Sequence, residues 1–243
     1  MNSTVRRALV TGASGGIGAA ICRRLAQSGH ELYLHAFHGA EKVRSLAQEL
    51  NATGARAEIL LFDLTDQLAV QAAMERVLDA GAIQILINNA GIHDDAVLPG
   101  MSARQWQRVI DVTVYGFFNI TQPLLLPMIR TRWGRIVNIS SITALTGNRG
   151  QVNYAAAKGA LNSATRALAL EVASRGITVN AVAPGIIDTA MSAAHFDAAT
   201  MSRLVPMQRA GSAQEVADLV DFLASDAAAY ITGQVVSING GMI

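Results

Sequence analysis

Residues 8–18 read ALVTGASGGIG, a short apolar strand pattern that runs directly into four glycines and then into a helical pattern. Glycines permit a tight turn and let backbone N–H groups approach a diphosphate, and the N-terminus of the next helix adds partial positive charge. The spacing of Gly12, Gly16 and Gly18 differs from GxGxxG. Its place at the first strand-to-helix crossover nevertheless favours a dinucleotide-binding loop over an ordinary glycine-rich turn.

The same alternation of strand and helix patterns continues from this loop to the end of the chain. Strands are predicted over residues 8–11, 31–36, 57–62, 84–87, 134–139, 178–182 and 234–238, and helices over residues 17–28, 41–51, 67–79, 103–131, 152–174 and 213–224. The strands are apolar on both faces, as parallel strands covered on two sides must be. We therefore expect an α/β fold, a single doubly wound Rossmann domain over residues 1–243 with a seven-stranded parallel sheet and helices on both faces. Helix caps are predicted at Asp66, Ser102 and Ser212.

Composition excludes several classes of protein. Hydrophobic residues make up 51% of the 243 positions, which excludes a disordered chain. The 19 basic and 18 acidic residues leave a net charge of +1 with no basic stripe, so no nucleic-acid partner is expected. The five histidines are scattered and the single cysteine, Cys22, is expected to be a buried apolar residue, so we expect no metal site. No signal peptide and no run of about 18 apolar residues is seen, and we expect a cytoplasmic protein without a membrane contact.

An irregular stretch at residues 186–211 lies between two strand–helix units. Loops of this length in compact domains often cover active sites. We therefore expect a substrate lid near residues 186–211, and a helical insertion that packs statically is the alternative.

The end of the second predicted strand bears on the choice of cofactor. NAD-binding sites usually place Asp or Glu there for the ribose hydroxyls, but residues 34–38 read LHAFH. Because no carboxylate would repel a 2′-phosphate, NADP (as NADPH) is favoured over NAD. His35, His38 and Lys42 are candidates to meet that phosphate, although no Arg stands at the strand end.

Tyr154 and Lys158 stand four residues apart on a predicted helix and therefore share one of its faces. A nearby ammonium favours the phenolate and lowers the pKa of a tyrosine, which is otherwise near ~10. Ser141 follows the fifth predicted strand, at the sheet edge where such folds bind ligands. A Tyr–Lys pair alone is usually a surface contact, but the three residues behind a glycine loop predict a catalytic site.

These features resemble the short-chain dehydrogenase/reductase family. The resemblance covers essentially the whole chain and rests on TGASGGIG at residues 11–18, Asp63, NNAG at 88–91, Ser141, YAAAK at 154–158 and APG at 183–185. Within the family the chain is most similar to the β-ketoacyl-acyl-carrier-protein reductases, through the stretches GNRGQVNYAAAKGAL, EVASRGITVNAVAPGIIDTAM, PMQRAG and ITGQVVSINGGMI. The segments GNRGQVNY and INGGM also resemble ketoreductases of polyene-type pathways.

The resemblance implies NADPH-dependent reduction of a β-ketoacyl thioester on acyl carrier protein, in fatty acid or polyene-type biosynthesis. Tyr154 would give a proton to the ketone oxygen, Ser141 would stabilise the developing alkoxide, and Lys158 would hold the nicotinamide ribose and lower the Tyr154 pKa. Further cofactor contacts are implied for Gly12, Ser14, Gly15, Gly16, Ile17 and Gly18 at the diphosphate, for Asp63, Leu64, Asn89, Ala90 and Gly91 at the adenosine, and for Pro184, Gly185, Ile187 and Thr189 at the nicotinamide end.

The resemblance also implies a partner and an assembly. Arg132 and Arg175 fall where these reductases present cations to the acidic carrier protein, and two ordinary solvated arginines are the alternative. A homotetramer would pack through the two long helices and the last strand. The chain departs from the family twice: Gly15 replaces a common Arg or Lys that helps bind the 2′-phosphate, and Thr113 replaces an Asn that kinks the fourth helix and holds a relay water.

Two other functions stay open. The first is a short-chain dehydrogenase/reductase that acts on another ketone or alcohol. The second is a non-catalytic nucleotide-binding protein. The presence of both Tyr154 and Lys158 argues against the second. The apolar stretch at residues 186–211 and the two arginines favour the acyl-carrier-protein thioester.

Overall fold

A computed structural model of the chain describes residues 5–189 and 203–243, in which strands and helices alternate. Their bounds, in chain order, are β1 (Arg7–Val10), α1 (Gly16–Gln27), β2 (Glu31–Ala36), α2 (Ala40–Ala52), β3 (Ala57–Leu61), α3 (Gln67–Asp79), β4 (Ile85–Asn88), α4 (Ala103–Ile110), α5 (Gly116–Thr131), β5 (Gly134–Ile139), α6 (Thr143–Thr146), α7 (Val152–Val172), β6 (Ile177–Pro184), β7 (Ile187–Asp188), β8 (Gly211–Ser212), α8 (Ala213–Ala224) and β9 (Val235–Ile238).

Seven of these strands form one parallel sheet in the order β3-β2-β1-β4-β5-β6-β9. The α/β fold with a seven-stranded parallel sheet is therefore confirmed. The strand order reverses between β1 and β4, and ligands in such sheets bind outside the carboxyl ends of the strands at that point. The strands β7 and β8 pair separately.

Each face of the sheet is covered by helices that bury an apolar core. The helices α1, α2 and α8 cover one face and the helices α3, α5 and α7 cover the other. Cys22 is free and lies within the first core, as expected for a small apolar side chain. The caps predicted from the sequence are formed: the Asp66 side chain accepts a hydrogen bond from the Ala69 N–H, and Ser102 and Ser212 form capping boxes.

The helix predicted over residues 103–131 is one run with an interruption. Between α4 and α5, Asp111–Tyr115 adopts a π-helical turn. A π turn inserts one extra residue into a helix and rotates the side chains that follow, and such turns occur frequently at functional sites. Just beyond the turn, the Asn119 amide of α5 donates to the carbonyl of Leu64, three residues after β3, at 2.8 Å.

The same run is unusually apolar. By length and composition Ala103–Thr131 would suffice to cross a bilayer, because one 18-residue window within it has a mean hydropathy of 1.3, although the sequence predicts no membrane span. In the fold α4 packs on α7 and α5 packs on α3, so part of the run is core. Its outer face leaves Tyr115, Phe118 and Leu126 exposed.

The lid predicted near residues 186–211 is described only at its two ends. Ile187 pairs with Gly211 and Asp188 with Ser212, and the Gly211 N–H donates to the Ile186 carbonyl at 2.9 Å. The two ends of the stretch are therefore tied together. Residues 190–202 lie outside the described residues, so the lid stays a prediction.

Candidate active site

A cavity of about 490 Å³ lies over the carboxyl ends of β1, β2 and β4, where the strand order reverses. Of the residues expected to bind a cofactor, its walls include Gly12, Ser14, His35, Asp63, Leu64, Ala90 and Gly91. A smaller cavity of about 310 Å³ lies between α3 and α5, away from the strand ends. The larger cavity is the candidate dinucleotide site.

The glycine loop is shaped by close backbone contacts. Gly12 has φ +65°, and a Cβ there would lie 3.0 Å from the Ala90 Cα atom. A Cβ on Gly18 would lie 2.3 Å from the Gly12 carbonyl oxygen, far inside van der Waals contact. The Asn89 amide donates to the carbonyls of Thr11 (2.9 Å) and Gly12 (3.1 Å). These hydrogen bonds hold the glycine loop against the end of β4, and α1 begins within the loop. The resulting cradle of backbone groups at a helix N-terminus fits the diphosphate of a dinucleotide.

The other predicted contact residues lie around this loop. Gly15, Gly16 and Ile17 form the start of α1. Thr189 reaches the loop from the far side, because a Cβ on Gly16 would lie 3.1 Å from the Thr189 methyl carbon. Pro184 ends β6, Gly185 follows it and Ile187 lies in β7.

The three candidate catalytic residues meet at the carboxyl end of β5. Ser141 follows this strand, and Tyr154 and Lys158 lie on the first two turns of α7. The Tyr154 side chain forms a hydrogen bond with Ser141. The Lys158 ammonium donates to the Ile139 carbonyl at 2.7 Å and lies 5.8 Å from the Tyr154 ring centre. In this arrangement the hydroxyl groups of Tyr154 and Ser141 can both donate a hydrogen bond to one substrate carbonyl oxygen.

Burial sets the protonation of this site. Burial raises the pKa of Tyr154, although its hydrogen bond with Ser141 lowers it, and the Asp95 carboxylate raises it further. The sequence predicts a lowered Tyr154 pKa, whereas here the pKa is raised, with burial as the largest cause. Burial lowers the pKa of Lys158 to about 8. A raised pKa favours the protonated phenol but makes it a weaker acid, and the Lys158 ammonium beside the ring is the group that favours the phenolate and so assists proton donation.

Thr113 lies beside Lys158 and has an unused hydroxyl. The π-helical turn buries its side chain to 2% exposure, and its Oγ1 atom has no hydrogen-bond partner among the described residues. A Cβ on Gly91 would lie 3.0 Å from the Lys158 Nζ atom and 3.9 Å from Thr113 Oγ1. The missing side chain of Gly91 thus leaves space between the hydroxyl and the ammonium.

His35 does not present a charge to a phosphate. Its ring is 2% exposed and both ring nitrogens are within contact distance of backbone groups. Burial lowers its pKa to about 4, so it is neutral at physiological pH. The more exposed candidates lie beside it: the Ser14 hydroxyl donates to the His38 carbonyl at 3.0 Å, and Gly39, at φ +76°, lies between Ser14 and the Lys42 side chain.

Arg132 and Arg175 lie at the amino ends of the strands, whereas the catalytic residues lie at the carboxyl ends. Arg132 precedes β5 and Arg175 precedes β6, whereas Ser141 follows β5. The six residues of β5 span about 20 Å. The arginines are close to each other, because a Cβ on Gly176 would lie 2.4 Å from the Arg132 carbonyl oxygen. The structure therefore does not bring them to the catalytic residues of their own chain.

Several residues around the cavity and the site were not predicted from the sequence, among them Arg104, Arg108 and Asp95. Arg104 and Arg108 line the cavity from α4, and their four-residue spacing on one helix was an available signal. Asp95 accepts a hydrogen bond from the Gln151 amide at 2.8 Å and influences Tyr154. That contact joins two loops, so no short-range pattern indicates it.

Sequence comparison with known proteins identifies the family. The family model described as short chain dehydrogenase matches residues 6–200. The chain is 41% identical over 236 residues to the 3-oxoacyl-acyl-carrier-protein reductase FabG of Aggregatibacter actinomycetemcomitans, covering 96% of this chain and 98% of that protein. It is 42% identical over 238 residues to the protein of that name from Aquifex aeolicus, covering 96% of each, and 43% identical over 242 residues to Nodulation protein G of Rhizobium sp. (strain N33), covering 98% and 97%. The chain belongs to the short-chain dehydrogenase family and is an oxidoreductase.

Proposed function

We propose that this protein reduces the 3-oxo group of an acyl thioester on acyl carrier protein, with NADPH as reductant, in fatty acid or polyene-type biosynthesis. The observation that carries the proposal is the meeting of Ser141, Tyr154 and Lys158 beside a glycine-lined cavity. Two of the relatives described above are named for this reaction.

Each catalytic residue has a role that its position supports. Ser141 and Tyr154 donate hydrogen bonds to the ketone oxygen, and Tyr154 passes its proton to that oxygen as the alkoxide forms. Lys158 adds positive charge beside the phenol and binds the nicotinamide ribose. A reduced nicotinamide dinucleotide supplies the hydride when it is bound. The glycine loop holds the diphosphate, Asp63 and Leu64 contact the adenine, and Asn89, Ala90 and Gly91 border the adenosine ribose.

Identification of the product tests this function. The protein is incubated with NADPH and either a short 3-oxoacyl thioester or a simple cyclic ketone, and products are analysed by mass spectrometry. We expect the 3-hydroxyacyl thioester, heavier than the substrate by two hydrogens. Exclusive turnover of the cyclic ketone would favour a dehydrogenase for another alcohol, and no turnover of either would favour a non-catalytic nucleotide-binding protein.

A prediction follows for Thr113. Its buried, unpartnered hydroxyl is placed to hold a water that returns protons to Lys158. We expect Thr113→Val, similar in shape but without the hydroxyl, to lower kcat about fivefold with unchanged NADPH affinity. Thr113→Asn should be as fast as the parent or faster. A near-neutral Val variant would assign the role to the backbone carbonyl, and an inactive parent restored by Asn would mean that the relay is broken.

The choice of NADPH over NADH rests on the β2 end, where Phe37 and His38 stand in place of a carboxylate. We expect a modest preference, because Gly15 supplies no cation. Phe37→Asp should weaken NADPH binding about tenfold through repulsion of the 2′-phosphate, and change NADH binding little. Fluorescence titration of both cofactors measures this, with Phe37→Asn as the uncharged control. A parent protein that prefers NADH would contradict the assignment.

Carrier docking requires a second copy of the chain. The outer face of α5 and α7 exposes Phe118, Leu126 and Leu170, which suits a two-fold contact within a homotetramer. Antiparallel packing of α7 on α7 would set Arg132 and Arg175 of one subunit beside the catalytic residues of the other. The acidic carrier protein would then dock on one subunit and deliver its thioester to its neighbour.

Subunit mixing tests this arrangement. The Arg132→Ala/Arg175→Ala variant should show a raised KM for the carrier thioester, more so at low salt, and an unchanged KM for a short pantetheine thioester. Co-expressed with Tyr154→Phe subunits, which keep the arginines, it should regain activity on the carrier thioester. Mixed oligomers no better than the sum of the separate variants would mean that docking occurs within one chain. Equal losses on both thioesters would mean that the arginines serve folding or assembly.

A further inference from the structure

His35 joins three parts of the chain at the edge of the candidate cofactor cavity. It lies in β2, and its carbonyl accepts a hydrogen bond from the Ala13 N–H at 2.8 Å. Its Nε2 atom lies 2.9 Å from the Phe62 carbonyl oxygen, at the end of β3. The Gly12 N–H donates to its Nδ1 atom over 3.4 Å. One buried ring therefore bridges the glycine loop and the residue before Asp63.

These contacts fix the protonation state of the ring. The Phe62 carbonyl only accepts, so Nε2 carries the hydrogen, and the Gly12 N–H only donates, so Nδ1 carries the lone pair. The neutral Nε2–H tautomer satisfies both contacts at once. The ring packs on Phe62 with 4.3 Å between ring centres, and the carboxylate that influences it is Asp63. The glycine loop at residues 11–18 carries no charged side chain.

Of the two groups that His35 holds, Gly12 lines the cavity, and Phe62 directly precedes the lining residue Asp63. Gly12 is already constrained by its positive φ and by Ala90, and Asp63 turns away from β3 to accept hydrogen bonds from the Thr65 N–H and hydroxyl. We propose that His35 is a positioning residue that sets the spacing between the glycine loop and Asp63, and thereby the fit of the adenosine half of NADPH. This inference rests on the proposed cofactor.

Binding measurements on three variants test the inference. His35→Leu removes both polar contacts, His35→Gln places an amide near the Nε2 position, and His35→Asn places an amide oxygen near the Nδ1 position. We expect His35→Leu to raise the Kd of NADPH about tenfold and the Kd of adenosine 2′,5′-bisphosphate by the same factor, because two hydrogen bonds that order one wall are lost. Asn and Gln should each recover part of the affinity.

A matched core substitution separates positioning from general stability. The matched variant is Leu32→Val. Leu32 is a buried residue of the same strand and pairs in register with Ala8 and Ala57, at the end of the strand away from the glycine loop. The variant should lower the Tm and leave both Kd values unchanged. An unchanged Kd in His35→Leu, or amide variants that bind no better than Leu, would overturn the inference. The binding assays need no turnover, so they stay informative if the 3-oxoacyl substrate assignment fails.

Discussion

Tyr154→Phe is expected to lower kcat for ketone reduction by about 10²–10⁴-fold, the usual contribution of a positioned general acid. The phenol hydroxyl is the proton donor in the proposed reaction, and burial, which raises its pKa, favours the protonated form. Phenylalanine preserves the ring and its packing, so the affinity for NADPH should change little. Steady-state kinetics on a 3-oxoacyl thioester, with NADPH binding measured in parallel, give the two values.

The control for this variant is Tyr33→Phe. Tyr33 is a buried tyrosine of β2 whose hydroxyl contacts the Arg7 guanidinium, remote from Ser141. It loses a hydroxyl in the same way and should keep nearly full kcat. A Tyr154→Phe variant within threefold of the parent would remove Tyr154 from the reaction.

Gly18→Ala is expected to abolish measurable NADPH binding or to weaken it by about 100-fold. The added Cβ would lie 2.3 Å from the Gly12 carbonyl oxygen, which belongs to the glycine loop. It would lie 2.8 Å from the Asn89 amide nitrogen, which bonds that loop to the end of β4. Relief of that overlap requires the loop to move, and overpacking of this kind costs about 1–3 kcal/mol before any cofactor contact is lost. Fluorescence titration measures the affinity, and circular dichroism confirms that the sheet is retained.

Gly159→Ala is the matched control. Gly159 lies in α7, and a Cβ there meets nothing within 4 Å. Alanine in a helix is more favourable than glycine by about 1 kcal/mol, so this variant should be as stable as the parent or more stable, with unchanged NADPH affinity. If Gly18→Ala binds NADPH as the parent does, the diphosphate lies elsewhere.

The fold could be predicted from the sequence because its signals are local. The switch from apolar strand to glycines to helix at residues 8–18 and the buried character of segments such as 134–139 each depend on neighbours in the chain. The capping residues Asp66, Ser102 and Ser212 are equally local. The predicted bounds of β3 and β6 differ from the observed ones by one or two residues, which is the usual uncertainty at strand ends.

The remaining features depend on contacts between distant segments. No pattern distinguishes the neutral, clamped ring of His35 from an exposed histidine, because its partners, Gly12 and Phe62, come from two other elements. The π-helical turn that buries Thr113 is invisible in a helical hydrophobic pattern. Arg132 and Arg175 precede their strands, so their position at the amino ends of β5 and β6 can be recognised only once the strand bounds are known. Their proposed use by a second subunit depends on how the chains assemble.

The proposed function is tested most directly by comparing kcat/KM for three substrates with NADPH: a 3-oxoacyl thioester on acyl carrier protein, the matching pantetheine thioester, and a cyclic ketone. We expect the order carrier thioester, pantetheine thioester, cyclic ketone, with the first advantage reduced at high salt because docking charges are screened. A cyclic ketone that is reduced more efficiently than both thioesters would contradict the account.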